Sequence, residues 1–187
     1  AGSNAVYLPT QVSIAMSALS ILYLVLPFPL LFILHDAEEV AVQHRWMKAH
    51  STSLVARFPR MRMMIDRLLC LSTKAFAIAA FEELVVLLLA TCYVLVGGAC
   101  AMQLWSALFM AFSLHLLVHL AQAVMVRGYV PGVVTSVLLL PYAAYGIRSI
   151  LLVMSALELA VWSILGVLMM IVNLRFAHWL GIKIGKP

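Results

Sequence analysis

Charged side chains are scarce in this sequence. Only 10% of the 187 residues are Asp, Glu, Lys or Arg, whereas 65% are hydrophobic. Because a soluble domain must cover its surface with water-facing groups, about a quarter of its residues are usually charged. The composition therefore excludes a soluble globular protein and indicates a chain that lies in a membrane.

Other features are missing as well. Strand-like alternation of polar and apolar residues is absent, which argues against a β-barrel, and no internal repeat or low-complexity tract occurs. The cysteines Cys70, Cys92 and Cys100 have no metal-ligand spacing. We expect them to pack as small apolar residues rather than to form disulfides or bind a metal.

The apolar residues that are present fall into long runs. An α-helix needs about 20 such residues to cross the hydrocarbon core of a bilayer. The sequence has runs of this kind at residues 13–34, 75–97, 101–126, 131–147 and 150–174. They predict an all-α integral membrane bundle of about five transmembrane helices.

Between these runs the polar segments are short, with one exception. Residues 44–70 form a longer polar segment, which we interpret as a loop, so residues 1–187 are expected to be a single helical domain. Pro27 and Pro29 predict a kink or break in the first helix. Residues 1–5 look like a linker left by cloning and are left out of the fold, and no cleaved signal peptide is expected.

The basic residues indicate how the chain is oriented. Eleven of the twelve lie on one side of the predicted helices, and only Arg148 lies on the other. Because short cytoplasmic loops accumulate Lys and Arg, we expect the 44–70 loop and the C-terminus to be cytoplasmic and the N-terminus to be outside. The net charge of +5 is then a signal of topology, and no nucleic acid is expected as a partner.

Acidic residues are concentrated in or beside the predicted helices. Six of the seven lie there: Asp36, Glu38, Glu39, Glu82, Glu83 and Glu158. A charge in the bilayer costs several kcal/mol unless it is paired, coordinated or hydrated. The polar residues within these helices are therefore candidates for function rather than for packing.

The first candidate group is the segment His35-Asp36-Ala37-Glu38-Glu39. His35 is three residues from Glu38 and four from Glu39, so a continuous helix puts the three side chains on or near one face. An imidazole and a carboxylate at this spacing can reach the same metal ion, as they do in helix-bundle metalloproteins. The alternative is a solvated helix end near the lipid headgroups.

Two further groups lie in later helices. His115 and His119 form a His-x-x-x-His pair, the spacing with which one helical face presents two imidazoles to a metal; the alternative is a satisfied pair of buried histidines. The neighbours Glu82 and Glu83 diverge by about 100° around a helix. Only one of them, which we expect to be Glu83, can then face the interior, and the alternative is a protonated acid bonded to another helix.

The last group consists of Asn173 and His178, five residues apart, with His178 expected past the helix end or independent of Asn173. The alternative for His178 is an interfacial residue beside Arg175 and Trp179. The alternating directions of the helices bring all these groups to the cytoplasmic half of the bilayer. Glu158 lies nearer the other side, and we expect it to serve packing or a second polar site.

These groups together predict a metal site. The expected ligands of one or two divalent ions are His35, Glu39, Glu83, His115, His119 and His178. Zinc is the first expectation, with iron or manganese as alternatives. Glu38 is expected to act as the general base, and Asp36, Glu82 and Asn173 to support the ligands.

The function that this site predicts is metal-dependent hydrolysis of a lipid-soluble or membrane-bound substrate. With two irons, the same ligand types support O₂-dependent oxidation or hydroxylation of a lipid. A competing class is a proton or metal-ion transporter, which needs a polar path to the far side of the membrane, for example through Glu158. A structural scaffold is the third class, which the number of acidic residues in the helices disfavours.

The motif His35-x-x-Glu38-Glu39, followed by the later His-x-x-x-His, resembles the HXXEE family of bacterial membrane proteins. The resemblance covers most of the chain, from the first predicted helix to the fifth. It implies that His35, Glu38 and Glu39 are the signature positions of the family and that the membrane is the bacterial inner membrane. It supplies no reaction.

A weaker similarity is to the CAAX-type intramembrane proteases, which use a Glu-Glu pair with helix-borne His and Asn residues to activate water. Glu82-Glu83, His115, His119 and Asn173 are residues of these types. That family has an Arg four residues after the second Glu, where this chain has Leu87 and, for the other pair, Gln43. The similarity is therefore an analogy.

Overall fold

Residues 22–185 of the protein are described by a computed structural model, and within this range the structure is helical and has no β-strand. A short 3-10 helix, Pro59–Met61, separates the first two α-helices. The α-helices are α1 (Phe28–Arg57), α2 (Arg62–Leu69), α3 (Thr73–Leu95), α4 (Ala101–Val126), α5 (Val133–Ile150) and α6 (Ala156–Ile184). The predicted all-α class is confirmed.

Four of these helices, α3 to α6, are long and apolar enough to cross a membrane. Large apolar side chains cover their outer faces, such as Leu157 and Val172, which are 76% and 69% exposed. Apolar surface of this extent is stable in lipid and not in water. The chain is therefore an integral membrane protein. The sequence predicted about five spans, but residues 13–21 of the first predicted run lie outside the described residues.

The two prolines interrupt the first predicted run. Residues 22–25 are helical, a turn follows at Leu26 and Pro27, and α1 begins at Phe28 with Pro29 in its first turn. Proline is tolerated in a first turn because the backbone N–H groups there have no partner within the helix. α1 then continues without a break through the His35 motif.

The polar segment 44–70, which we interpreted as a loop, is mostly helical. α1 continues through it to Arg57, and the 3-10 helix and α2 cover most of the remainder. The segment contains no Gly or Pro before Pro59, so nothing ends the helix earlier. α6 likewise runs past the predicted end at residue 174 to Ile184, and His178 lies within it.

Helix α4 lies at the centre of the bundle, in contact with α3, α5 and α6, while α1 packs against α3 and α5. The Phe28 ring lies 5.2–5.3 Å from the rings of Trp105, Phe109 and Phe112. Aromatic pairs at these tilted or edge-to-face angles stabilise packing beyond the area that they bury. The first turn of α1 is thereby held against α4, which keeps the following turns of both helices side by side.

Glycines bring α6 close to its neighbours. A Cβ on Gly166 would lie 2.1 Å from the Ala107 carbonyl oxygen, and one on Gly181 would lie 2.1 Å from that of Ala75. Only a residue without a side chain permits two helix backbones to approach this closely, as in other membrane helix pairs. α6 therefore closes the bundle against α3 and α4.

Candidate metal centre

Four side chains from two helices meet beside the start of α5. They are His35 and Glu39 of α1 and His115 and His119 of α4, and the ligand atoms that they offer all lie within 4.8 Å of one another. Glu39 Oε1 is 2.6 Å from His119 Nε2, 3.5 Å from His115 Nε2 and 3.6 Å from His35 Nε2. We call this set the four-residue cluster.

Helical periodicity explains why these residues coincide. In each helix the two members are four residues apart, so they point to the same face, one turn from each other. One turn earlier, Phe32 of α1 contacts Phe112 of α4 with ring centroids 5.9 Å apart. This contact aligns the two helices, so that the two faces carrying the cluster meet.

The geometry of the cluster fits a metal ion. Four ligands at about 2.0–2.1 Å from a tetrahedral ion lie about 3.3 Å from each other, and the Glu39 to imidazole distances of 2.6–3.6 Å span this value. His35 Nε2 and Glu39 Oε1 are buried, and neither makes a well-directed hydrogen bond within the described chain. Glu39 Oε1 instead lies within ion-pair distance of all three imidazoles. Buried polar atoms without hydrogen bonds are costly, and a cation among these side chains would bind the lone pairs of both atoms.

The neighbouring Glu38 points to the start of α5 instead. Its Oε1 accepts hydrogen bonds from the Tyr129 hydroxyl (2.9 Å) and the Val134 N–H (3.4 Å). Its Oε2 accepts two more from Thr135, one from the backbone N–H (2.8 Å) and one from the hydroxyl (2.6 Å). α5 has no side-chain cap from its own N-cap residue, and a carboxylate complements the positive end of a helix. Glu38 therefore caps α5 and attaches it to α1.

Thr135 connects Glu38 with the cluster. Its Oγ1 lies 2.6 Å from Glu38 Oε2 and 2.9 Å from His35 Nδ1. A hydroxyl carries one proton, and when that proton is donated to the carboxylate, the oxygen accepts the Nδ1–H of His35. The His35 tautomer is thereby set with its free lone pair on Nε2, which faces Glu39. Metal-binding histidines are typically oriented in this way.

Gly132 bounds the cluster on the side of α5. It precedes the helix with φ of +82°, in the left-handed region that favours glycine. A Cβ at this position would lie 2.7 Å from Glu39 Oε1 and 2.9 Å from His119 Cε1. Any side chain here would intrude on the ligand atoms.

A cavity of about 650 Å³ reaches the cluster at His115 and lies between α1, α3, α4 and α6. Its lining is mainly apolar, and its polar residues are Asp36, Glu83, His115 and Asn173. The His115 side chain is 33% exposed, whereas those of His35 and His119 are 0% and 9% exposed. His115 is therefore the member of the cluster that a molecule in the cavity can approach.

The remaining predicted ligands lie outside the cluster. Glu83 lines the cavity, whereas Glu82 accepts a 3.1 Å hydrogen bond from Asn173 Nδ2. The His178 ring lies against Phe76, with the ring centroids 6.1 Å apart. The structure thus brings four of the six expected ligands together, and Glu83 and His178 are not among them.

Glu158 is remote from the cluster and does not line the cavity. Its carboxylate accepts a 3.2 Å hydrogen bond from Gln103, and its backbone N–H donates to the Oγ of Ser155, the N-cap of α6. An acidic side chain in the first turn of a helix is stabilised by the helix dipole. The bond to Gln103 and the place in the first turn of α6 account for the position of Glu158, for which we expected packing or a second polar site.

Sequence reasoning missed Tyr129, Gly132 and Thr135, which lie in and after the connection between α4 and α5. A signal was available, because a Pro-Gly pair marks the turn before a helix whose first N–H groups need acceptors. Burial and the hydrogen bond to Glu38 raise the pKa of Tyr129 to about 12. The phenol therefore stays protonated at neutral pH and can donate to Glu38.

Comparison with known proteins agrees with the motif. A family model described as a protein of unknown function with HXXEE motif matches residues 26–146, more than half of the chain, and the match includes the whole cluster. The chain belongs to the HXXEE family. In this HXXEE protein, two motif residues, His35 and Glu39, are in the cluster, and the third, Glu38, caps α5. No curated protein and no solved structure shows detectable similarity to the chain.

Proposed function

We propose that this protein is a membrane-embedded, metal-dependent hydrolase that acts on a lipid-soluble or membrane-bound substrate. The observation that carries the proposal is the meeting of three imidazoles and one carboxylate, within 4.8 Å of one another, beside a largely apolar cavity. Such polar groups are costly within a membrane protein and mark functional sites.

The donor set favours one zinc ion. Imidazole nitrogen and carboxylate oxygen are both zinc ligands, whereas di-iron sites in helix bundles use about four carboxylates with two histidines. Within residues 22–185 the cluster is the one group with metal-site geometry, and it contains a single carboxylate. Catalytic zinc sites keep one coordination position open. We therefore propose that three of the four side chains would hold a zinc ion and that its open position would supply an acidified water near neutral pH or would polarise a substrate carbonyl.

We assign the proton acceptor to the cavity rather than to Glu38. A general base must lie within hydrogen-bond reach of the proton that it takes. Glu38 accepts four hydrogen bonds at the start of α5, whereas Asp36 and Glu83 line the same cavity as His115. In this proposal Glu38 orients His35 through Thr135, and Asp36 or Glu83 accepts the proton.

The surroundings of the cavity support a substrate that arrives from the bilayer. Leu168 and Val172 of α6 line the cavity and are also 56% and 69% exposed on the protein. The apolar wall is thus continuous with the surface that contacts lipid acyl chains. A lipid-soluble molecule would reach His115 along this wall without crossing water.

We also propose that the cluster lies in the cytoplasmic half of a bacterial inner membrane, with the N-terminus outside and the C-terminus in the cytoplasm. Basic residues concentrate at the end of the bundle where α1 and α4 terminate. There the Arg57 guanidinium donates a 3.0 Å hydrogen bond to the Val126 carbonyl, which joins the two helix ends. A basic end of this kind is typical of the cytoplasmic side.

A transporter is less well supported. It would need polar groups leading from the cluster to the far side of the membrane. Glu158, the candidate for such a path, is bonded to Gln103 and does not line the cavity.

The first test is the metal content of the full chain in lipid nanodiscs. The purified protein is stripped with a chelator, offered zinc, iron and manganese together, desalted, and measured by inductively coupled plasma mass spectrometry. We expect one zinc per chain, lost in the double variant His115→Ala, His119→Ala. The matched control is His178→Ala, a histidine outside the cluster, which should retain the zinc.

The same preparations are then assayed with a fluorogenic long-chain ester and the corresponding amide. Hydrolysis that requires zinc, and that disappears in the double variant but not in the control, supports the proposal. Two equivalents of iron per chain would contradict the hydrolase proposal and favour a di-iron oxidase. A wild-type protein that holds no metal after loading would contradict the metal centre itself.

A further inference from the structure

We infer that the cavity binds a single-chain amphiphile whose head group is neutral or cationic, and that it rejects the same chain with a phosphate head group. The inference rests on the proposed function, because it names the substrate class of that site. It is carried by the distribution of polar and apolar side chains along the cavity wall.

The cavity lining includes four polar side chains, which we call the polar ring. Each of the four surrounding helices contributes one member: Asp36 from α1, Glu83 from α3, His115 from α4 and Asn173 from α6. His115 links this ring to the four-residue cluster. A head group in the ring would therefore lie beside the candidate metal ligands.

The apolar lining extends mainly in one direction from this ring. On α1 and α4 it precedes the polar member in the chain, with Phe28 and Phe32 before Asp36 and with Leu108 before His115. On α3, which runs in the opposite direction to α4, it follows, at Val86 and Leu87. On α6, which runs in the same direction as α4, Leu168 to Val172 precede Asn173, and Leu174 and Phe176 follow it. Most of the apolar wall therefore lies on one side of the ring, and two side chains of α6 bound the ring on its other side.

The size of the cavity suits one chain with a compact head group. Its volume of about 650 Å³ falls within the range of about 300–1,000 Å³ of sites that enclose a small ligand. An acyl tail is as well solvated by the bilayer as by an apolar cavity, so it prefers the cavity only if it packs closely against the cavity wall. A single acyl or alkyl chain meets this requirement.

The chemistry of the ring determines which head groups it accepts. Among residues 22–185 the lining includes two carboxyl groups, an amide and an imidazole, and no Lys or Arg. Phosphate is recognised by arginine, lysine or clusters of backbone N–H groups. An ionised carboxyl would repel a phosphate, and a protonated one would offer no positive charge, so the preference holds in either state. An ester, amide, alcohol or amine finds hydrogen-bond partners in the ring.

The experiment measures binding of three probes with the same tail to the chelator-treated full chain by native mass spectrometry. The probes are a palmitoyl monoglyceride, palmitylamine and palmitoyl lysophosphatidate. We expect the first two to bind at least about tenfold more tightly than the phosphate, a difference of about 1.4 kcal/mol, because a phosphate finds no positive charge in the ring and is repelled by an ionised carboxyl. Equal or tighter binding of the lysophosphatidate would overturn the inference.

A matched pair of variants tests whether the probes occupy this cavity. Leu168→Trp adds bulk at an exposed lining position, and Ile164→Trp adds the same bulk one turn earlier on α6, outside the lining. Both positions are exposed, at 56% and 64%, so both variants should fold. We expect weaker binding of the monoglyceride only in Leu168→Trp, and equal binding in the two variants would show that the cavity is not the site.

A portion of the same chelator-treated preparation is offered zinc and its metal content is measured, so that the two proposals fail separately. If the chain binds the probes selectively but takes up no zinc, the cavity is supported as an amphiphile site and the metal centre is contradicted. Zinc uptake without discrimination between the probes would leave the metal centre and contradict the assigned head group.

Discussion

The molecule contains two pairs of adjacent glutamates in comparable positions, Glu38-Glu39 on α1 and Glu82-Glu83 on α3. In each pair one carboxylate is bonded to a neighbouring helix: Glu38 to the start of α5, and Glu82 to Asn173 of α6. The other member faces a site, Glu39 in the cluster and Glu83 in the cavity. This division follows from the divergence of about 100° between adjacent residues of a helix.

The difference between the pairs lies in what the opposite helix presents. Glu39 lies within ion-pair distance of His115 and His119 of α4, whereas Glu83 faces the cavity, whose lining also includes His115. A pair of carboxylates is thus not a metal site by itself. Whether imidazoles lie close to the inward-facing carboxylate depends on the residues of the helix that packs against it.

The largest expected effect distinguishes the two inward-facing carboxylates. Glu39→Gln should lower the zinc affinity by at least about 100-fold, because it removes a ligand and its charge, and losses of supporting groups alone cost about 10–100-fold. Glu83→Gln should leave zinc binding within about twofold, since Glu83 is not in the cluster. Competition with a fluorescent zinc chelator measures both. Equal losses in the two variants would mean that Glu83 is also a ligand.

The next effect tests the link between the outward-facing Glu38 and the cluster. Thr135→Val removes the hydroxyl that joins Glu38 to His35, and the zinc affinity should fall by about 10–100-fold. Thr135→Ser retains the hydroxyl and should restore most of the affinity. A valine variant that binds zinc normally would show that the tautomer of His35 does not depend on Thr135.

A smaller effect is expected from the close approach of α5 to the cluster. Gly132→Ala introduces a Cβ 2.7 Å from Glu39 Oε1 at a backbone with φ of +82°, and it should destabilise the protein by about 1–3 kcal/mol and weaken zinc binding. Gly128→Ala is the control, because a Cβ there meets nothing within 4 Å. Thermal unfolding in nanodiscs, with and without zinc, measures both variants. Identical melting temperatures would contradict the close contact at Gly132.

The smallest effect concerns one of the four donors to Glu38. Tyr129→Phe removes a single hydrogen bond, worth about 0.5–1.5 kcal/mol, and should lower the melting temperature by a few degrees with a slight loss of zinc affinity. Tyr93→Phe removes a comparable bond to the Ala99 carbonyl, far along the chain from the cluster. Zinc binding should not change in this control, and a change would indicate that the assay reports general stability.

The fold class and the helical faces that carry the cluster were predictable from the amino-acid sequence. The shortage of charge and the long apolar runs determined the class, because only lipid tolerates so much apolar surface. The intervals of four residues between His35 and Glu39 and between His115 and His119 determined that each pair shares a helical face. The break at Pro27 and Pro29 followed from the missing backbone donors.

Tertiary structure decided which of these faces meet. Nothing in the spacing distinguishes His178 or Glu83 from the residues that converge, since convergence depends on the rotation and the depth of each helix. The rings at Phe28, Phe32 and Phe112 set these for α1 and α4. The role of Glu38 as a cap, the position of Thr135 between Glu38 and His35, and the polar ring of the cavity each require contacts between residues distant in sequence. Periodicity within one helix carries no information about such contacts.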